Sequence, residues 1–195
     1  MRALITGDRG FLGRHFKTEL ARRGWQVAGL DIKATSAQDC RLYFRECLNR
    51  GMELGAWDLV VHCAAVVGGR LTIDGDPLAT AESLSIDAEM FRWAAVARPG
   101  RVLYFSSSAA YPITYQTGSP VRLHENDVWN GDRDDGGHPV PGTYWDVSEP
   151  DQVYGWTKVT GELLASRLRE AGVPVTVVRP FSGYGEDQDL SLIHI

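Results

Sequence analysis

Tyr154 and Lys158 stand four residues apart in Tyr154-Gly155-Trp156-Thr157-Lys158, a spacing that puts both side chains on one face of a helix. A phenol ordinarily titrates near pH ~10. A neighbouring ammonium favours the phenolate, so such a pair can exchange a proton with a hydroxyl or carbonyl near neutrality. A serine on another element can hydrogen-bond the same oxygen. Ser106-Ser107-Ser108, directly after the apolar run Arg101–Phe105, supplies one. Tyrosine and lysine at this spacing are common on protein surfaces, so the pair needs context.

A second pattern supplies it. Thr6-Gly7-Asp8-Arg9-Gly10-Phe11-Leu12-Gly13 follows the apolar run Arg2–Thr6 and opens a helical stretch, Phe11–Arg23. Glycines at 7, 10 and 13 permit a tight turn, close approach to a pyrophosphate and close helix–strand packing. The helix start then offers free N–H groups and the positive end of its dipole to phosphates. Asp31 ends the next apolar run, Gln26–Asp31, where it can accept hydrogen bonds from adenosine ribose hydroxyls and repel a 2′-phosphate. The pattern predicts NAD in preference to NADP. Arg9 and Lys33 are the residues that could instead meet a 2′-phosphate.

The elements that position these groups alternate. Short apolar strands are expected at Arg2–Thr6, Gln26–Asp31, Asp58–Cys63, Arg101–Phe105 and Val173–Arg179, with helices at Phe11–Arg23, Leu42–Leu54, Pro77–Arg98 and Asp151–Ala171. A strand within Lys33–Asp39 is brief or absent. Alternation of this kind predicts an α/β fold, a Rossmann-like doubly wound parallel sheet with helices on both faces. The serines then fall on the C-terminal edge of the sheet, where ligands bind. Between Tyr111 and Tyr154 the rhythm breaks in a stretch rich in Gly, Pro and Asp. Residues 125–150 read as a long polar loop, either covering substrate or disordered, with about Asn130–Gly142 expected to be mobile.

Composition excludes several classes. The chain has 195 residues, 44% apolar and 23% charged, enough for one domain with a proper core. A net charge of −5 argues against nucleic acid as a partner. No apolar run reaches the roughly 20 residues of a membrane helix, and the start leaves no room for a signal peptide. Cys40, Cys47 and Cys63 form no CxxC pair, so neither a disulfide framework nor a zinc site is expected, and a reducing cytoplasm accounts for them. His62, inside a buried strand, reads as a satisfied core histidine. His124 and His138 lack metal partners. Trp129, Tyr144 and Trp145 could stack on a base or anchor the loop.

Taken together these residues resemble the extended short-chain dehydrogenases/reductases, the NAD-dependent epimerase/dehydratase group. The resemblance runs through TGxxGFLG at 6–13, Asp31, His62-Cys63-Ala64-Ala65, the serines through Tyr111, Tyr154/Lys158, and Arg179-Pro180-Phe181-Ser182-Gly183-Tyr184-Gly185. It implies hydride chemistry on a nucleotide-linked sugar, with Tyr154 as acid/base and Lys158 holding the nicotinamide ribose. Counting back four from Tyr111 gives Ser107 as the catalytic serine, with Ser108 left open. The implied cofactor lining comprises Gly7, Arg9, Gly10, Phe11, Leu12 and Gly13 at the turn, with Asp31, Ile32, Asp39 and Cys40 toward the adenosine. Cys63, Ala64 and Ala65 follow the third strand, and Tyr154, Lys158, Pro180 and Ser182 complete the set.

Departures from the family pattern narrow the chemistry. Dehydratases carry an acidic residue just after the catalytic serine, where this chain has Ser108 and Ala109. GDP-fucose synthases, similar at Ala64–Gly69 and Ala110-Tyr111-Pro112, use a cysteine where this chain has Ala109. The family's helix asparagine is not evident, and Ser83 or Ser85 falls in that region. A 4-epimerase or a plain reductase is therefore favoured. A reductase of a non-sugar carbonyl and a non-catalytic NAD(P)-binding protein are the alternatives. Family members continue for more than a hundred residues and are expected to be homodimers at full length. Residues 1–189 read as the Rossmann domain. The ending Leu190–Ile195 resembles a translated sequencing-adapter tail, which predicts an incomplete gene.

Overall fold

Five of the apolar runs pair in parallel, in the order β2-β1-β3-β4-β7. The computed structural model describes residues 1–52, 56–66, 76–116, 122–130, 146–147, 149–181 and 183–186. Within them the chain forms β1 (Arg2–Thr6), α1 (Phe11–Arg22), β2 (Gln26–Leu30), α2 (Cys40–Arg50), β3 (Leu59–His62) and α3 (Pro77–Ala97). It continues through β4 (Val102–Phe105), α4 (Ile113–Gln116), β5 (Trp129–Asn130), β6 (Asp146–Val147), α5 (Gln152–Glu170) and β7 (Val175–Val178). The expected doubly wound sheet is what forms. From β1 the chain passes to β2 on one side and then returns to β3 on the other. That reversal opens a crevice beyond the carboxyl ends of β1 and β3. Register sets those ends level, with Thr6 opposite both Leu30 and His62, and His62 opposite Tyr104.

Both faces of the sheet are covered, which is why its strands are apolar without interruption. Leu4, Val60, Val102 and Tyr104 face the larger core, among Phe44, Met90 and Trp93. Ala3, Ile5 and Val61 point the other way, toward Leu20 of α1. Successive strand residues alternate between the two layers.

Local chemistry sets the element ends. Helix α2 starts at Cys40 and stops at Arg50, earlier at both ends than the spacing of apolar residues suggests. The Asp39 carboxylate accepts the Arg41 N–H at 2.9 Å, and Gly51 turns left-handed at φ 62°. Asp76 caps α3 ahead of Pro77. Residues 33–39 form no strand; Ser36–Gln38 is a 3-10 turn capped by Thr35. Part of the expected polar loop is packed. Val128 is fully buried with Ala110, Tyr111 and Val159, and β5 pairs antiparallel with β6. Most of the stretch expected to be mobile lies outside the described residues, as do His138, Tyr144, Trp145 and the 190–195 tail.

Candidate active site

The three serines after β4 go to three different places. Ser106 is buried, and its Oγ donates to Glu162 Oε1 at 2.6 Å. Ser107 is extended and caps the 3-10 turn Ser108–Ala110, its Oγ accepting the Ala109 N–H at 3.2 Å. As an acceptor there, it keeps its hydroxyl proton for donation. The Ser108 N–H donates to Pro180 O at 3.1 Å. Ser107 and Ser108 stay the two candidates for the substrate oxygen, and Ser106 is committed to Glu162.

This turn docks on the first turn of α5. The Asp151 N–H donates to Ala109 O at 2.9 Å, and a Cβ at Gly155 would lie 2.4 Å from the same oxygen. Glycine between Tyr154 and Lys158 is thus what lets the serine turn approach the helix. Tyr154 is half-buried. Lys158 is only 5% exposed; its Nζ donates to Phe105 O at 3.0 Å and lies 5.7 Å from the centroid of the Tyr154 ring. Among the described residues no carboxylate pairs with this ammonium. Ala109 is buried, and its side chain brings only a methyl group to this turn.

At the glycine turn, Gly7 has φ 69°, and a Cβ there would meet Ala64 N at 2.8 Å. A Cβ at Gly13 would lie 2.0 Å from Gly7 O. These glycines are fixed by the packing of the turn on itself and on the residues after β3. Gly10 caps the start of helix α1 without a side chain, and no acidic residue stands in its first turn. Its N–H groups therefore have no competing anion, which fits a pyrophosphate.

Asp31 is buried, as a specific acceptor should be, but its oxygens already have work. Oδ2 accepts the Arg9 N–H at 2.9 Å and Oδ1 the Lys33 N–H at 2.8 Å. A carboxylate has about four lone-pair sites, so acceptors are left for ribose hydroxyls. The Arg9 side chain and Ile32 are exposed nearby in sequence. Asp39 is engaged with Arg41, which holds its carboxyl below the usual range. Cys40 packs in the main core, and burial pushes its thiol up to about 12. Cys63 is half-buried and desolvated to about 12 as well, so neither thiol is reactive. Ala64 and Ala65 are half-buried, and the Ala64 N–H donates to Thr6 Oγ1 at 3.2 Å. Pro180 is exposed; Ser182 lies outside the described residues.

Several residues of this edge were not singled out from the sequence. Asp8, inside the glycine turn, is buried and pairs with Lys17 at 2.6 Å. Its carboxylate fills the space beside Gly29, where a Cβ would sit 2.0 Å from Oδ2. Glu162, one turn after Lys158, receives Arg179 Nε at 2.7 Å and Nη2 at 2.5 Å, and Arg179 Nη1 reaches Glu125 O at 2.6 Å. Glu162 at Lys158+4 and a basic residue ending the last strand were the available signals. His62 is a satisfied core histidine, as expected, bonded to Thr6 Oγ1 at 2.8 Å and Asp87 Oδ1 at 3.1 Å. After β7 the chain returns to α1, with Gly185 against the Phe11 ring and Glu186 O 3.1 Å from His15 Nε2. A separate groove of about 780 Å³ runs outside α5 and β7, bordered by Glu162, Arg167, Arg179 and Phe181.

The sequence pattern of the NAD dependent epimerase/dehydratase family matches residues 3–193. The chain is 32% identical over 117 residues to a GDP-L-fucose synthase of Azorhizobium caulinodans, covering 56% of this chain and 34% of that one. It is 27% identical over 209 residues to a probable UDP-glucuronate 4-epimerase of Rhizobium meliloti, covering 95% and 54%. The UDP-glucose 4-epimerase of Thermus thermophilus, solved with NAD, shares the fold at TM-score 0.64 and 21% identity, covering 96% of this chain and 59% of that one. The chain thus spans about half or less of the length of these curated relatives. With glycine turn, serine turn and tyrosine helix assembled on one sheet edge and the match running over nearly its whole length, the chain belongs to the NAD dependent epimerase/dehydratase family.

Proposed function

We propose that this chain is the NAD-binding part of an enzyme that oxidises or reduces a carbinol of a nucleotide-linked sugar, as a 4-epimerase or a reductase. The observation that carries the reading is the buried Lys158 ammonium beside the Tyr154 ring, next to the serine turn. NAD, held by the residues named below, would supply the hydride-accepting and hydride-donating chemistry at the carbinol carbon. Tyr154 Oη accepts the carbinol proton and gives it back. Ser107 or Ser108 hydrogen-bonds the substrate oxygen. Lys158 holds the nicotinamide ribose and opposes the charge that Tyr154 gains. The turn at Gly7–Gly13 and the start of α1 hold the pyrophosphate, and Asp31 the adenosine ribose.

The relatives named for GDP-L-fucose and UDP-glucuronate support that substrate class. Exposed Leu78, Val153 and Trp156 on α3 and α5 support a homodimer of the longer protein. Free thiols at all three cysteines fit a reducing cytoplasm. Among the described residues no helix is long and apolar enough to cross a membrane. The test is to mix the NAD-loaded protein with UDP-, GDP- and dTDP-sugars and follow the reduced nicotinamide by absorbance. Reduction by a nucleotide sugar is expected. Reduction only by alcohols without a nucleotide would move the assignment to a non-sugar reductase, and no reduction with NAD bound would leave a binding protein.

Cofactor choice gives a second test. NAD is expected to bind at least about tenfold tighter than NADP, roughly 1.4 kcal/mol. Asp31→Ala should narrow that gap from both sides. It removes the charge that repels a 2′-phosphate, and it frees the Arg9 N–H that anchors the glycine turn. A titration in which the intact protein prefers NADP would reassign the site to Arg9.

A further inference from the structure

Lys158 lies between two aromatic rings. Its Nζ is 5.7 Å from the centroid of Tyr154 and 5.5 Å from that of Tyr104, within the ~6 Å range of a cation–π contact. We propose that Tyr104, held in place by Asp87, is the positioning residue for Lys158, its ring forming the floor on which the ammonium rests opposite Tyr154. The proposal rests on the role assigned above to Lys158.

A chain of hydrogen bonds leads back from the Tyr104 hydroxyl and fixes the ring. The Tyr104 hydroxyl donates to Asp87 Oδ2 at 2.6 Å. Asp87 Oδ1 lies 3.1 Å from His62 Nε2, and His62 Nδ1 lies 2.8 Å from Thr6 Oγ1. The Asp87 carboxylate can only accept, so a neutral His62 donates to it from Nε2, and its Nδ1 accepts the Thr6 hydroxyl proton while Thr6 Oγ1 accepts the Ala64 N–H. Phe91 packs on the ring at 5.2 Å, and His62 stacks on it with planes 18° apart. On the α5 side a Cβ at Gly161 would lie 1.9 Å from the Tyr104 hydroxyl. Glycine three residues after Lys158 therefore lets the helix come down onto this ring and sets the height of the ammonium above it.

A purely space-filling residue would not need this arrangement. Asp87 is 2% exposed, and a carboxylate so deep is costly unless it is paired and hydrogen-bonded. An aliphatic residue at 104 would need no buried carboxylate to hold it. What the tyrosine adds is a π face under an ammonium that has no carboxylate partner among the described residues, with the Asp87 charge at the hydroxyl end of the ring. Burial and the adjacent Asp87 carboxylate push the Tyr104 phenol far above its ordinary range, so it stays a neutral donor and does not compete with Tyr154 for protons.

The experiment is a double-mutant cycle read by NAD titration, with bound-NAD reduction by a nucleotide sugar as a second readout and thermal unfolding as a control. Lys158→Met and Tyr104→Leu should each weaken NAD, Tyr104→Leu by roughly tenfold, the scale of a desolvated cation–π contact. In the Lys158→Met background, Tyr104→Leu should have no further effect, because the ammonium it positions is gone. Tyr104→Phe keeps the ring but loses the Asp87 bond. It should lower the unfolding temperature while holding NAD affinity within about threefold of the parent. If Tyr104→Leu does not fold, Tyr104→Met enters the same cycle as an unbranched filler. Equal losses from Tyr104→Leu with and without Lys158, or Tyr104→Phe as damaging to NAD affinity as Tyr104→Leu, would overturn the proposal. The NAD titration requires no turnover, so failure of every sugar to react would remove the proposed reaction and leave this cycle readable.

Discussion

Tyr154→Phe is expected to bind NAD as the parent does and to turn over about 10²–10⁴-fold more slowly, the usual scale of general acid–base catalysis. The substitution deletes one hydroxyl and keeps the ring. That ring lies 5.7 Å from Lys158 Nζ, so the aromatic side of the ammonium's surroundings survives. Lys158 keeps its bond to Phe105 O, and the docking of Gly155 on Ala109 O is untouched. Only the proton shuttle is lost. Lys158→Ala differs because it removes a group proposed to touch both cofactor and acid/base, so affinity and rate should fall together. Turnover of nucleotide sugars is the assay, with NAD titration alongside. Near-normal turnover in Tyr154→Phe would show that another group moves the proton. The buried methyl of Ala109 sets the expected product. With no carboxylate or thiol at that position, the sugar should be epimerised or reduced without losing water or carbon dioxide, and a 4-keto-6-deoxy sugar as the main product would contradict this.

Glu162→Ala is expected to destabilise the fold by about 3–5 kcal/mol, the loss seen when one partner of a buried ion pair is removed. Glu162 has a side chain 4% exposed and receives two nitrogens of Arg179, itself 13% exposed, together with the Ser106 hydroxyl. Burial alone would push the Arg179 guanidinium down; the hydrogen bonds and charge of Glu162 outweigh it and hold the group firmly protonated. Removing Glu162 leaves that charge buried beside Tyr111, with Glu125 O as its remaining strong acceptor. Urea unfolding would read the loss. Replacing both partners by methionine should recover much of it, because no unpaired charge is then left. A Glu162→Ala variant within about 1 kcal/mol of the parent would mean that water reaches Arg179 and that the pair is not buried in solution.

The parts of the site that are local in sequence were legible. Tyr154 and Lys158 share a helix face, and the Gly7–Gly13 turn sits between one strand and one helix. Both could be placed from spacing alone. The end of each strand was legible to within a residue or two, since runs buried on both faces stop where polar residues start. What was not legible depended on distant partners. Three identical side chains at 106–108 are told apart by Glu162, 56 residues from Ser106. Tyr104 looked like any inward strand residue, because its relation to Lys158 exists only once β4 and α5 pack. Asp31 was read for its ligand, whereas the fold also uses it to tie the glycine turn to β2. The polar look of 125–150 concealed Val128, whose burial is set by Tyr111 and Val159 from either side of it in the chain.

The Asp8 carboxylate occupies the volume that a side chain at position 29 would need. Position 8, in the turn after β1, and position 29, within β2, therefore share one space, and position 29 cannot grow while aspartate stands at 8. A lineage that gained valine at 29 while keeping aspartate at 8 would have to expel a buried carboxylate and break its pair with the exposed Lys17. The accessible order of substitution is a small residue at 8 first and the larger one at 29 afterwards. Aligned relatives should accordingly fall into two groups, acid with glycine or small with branched, and the mixed large pair should be rare.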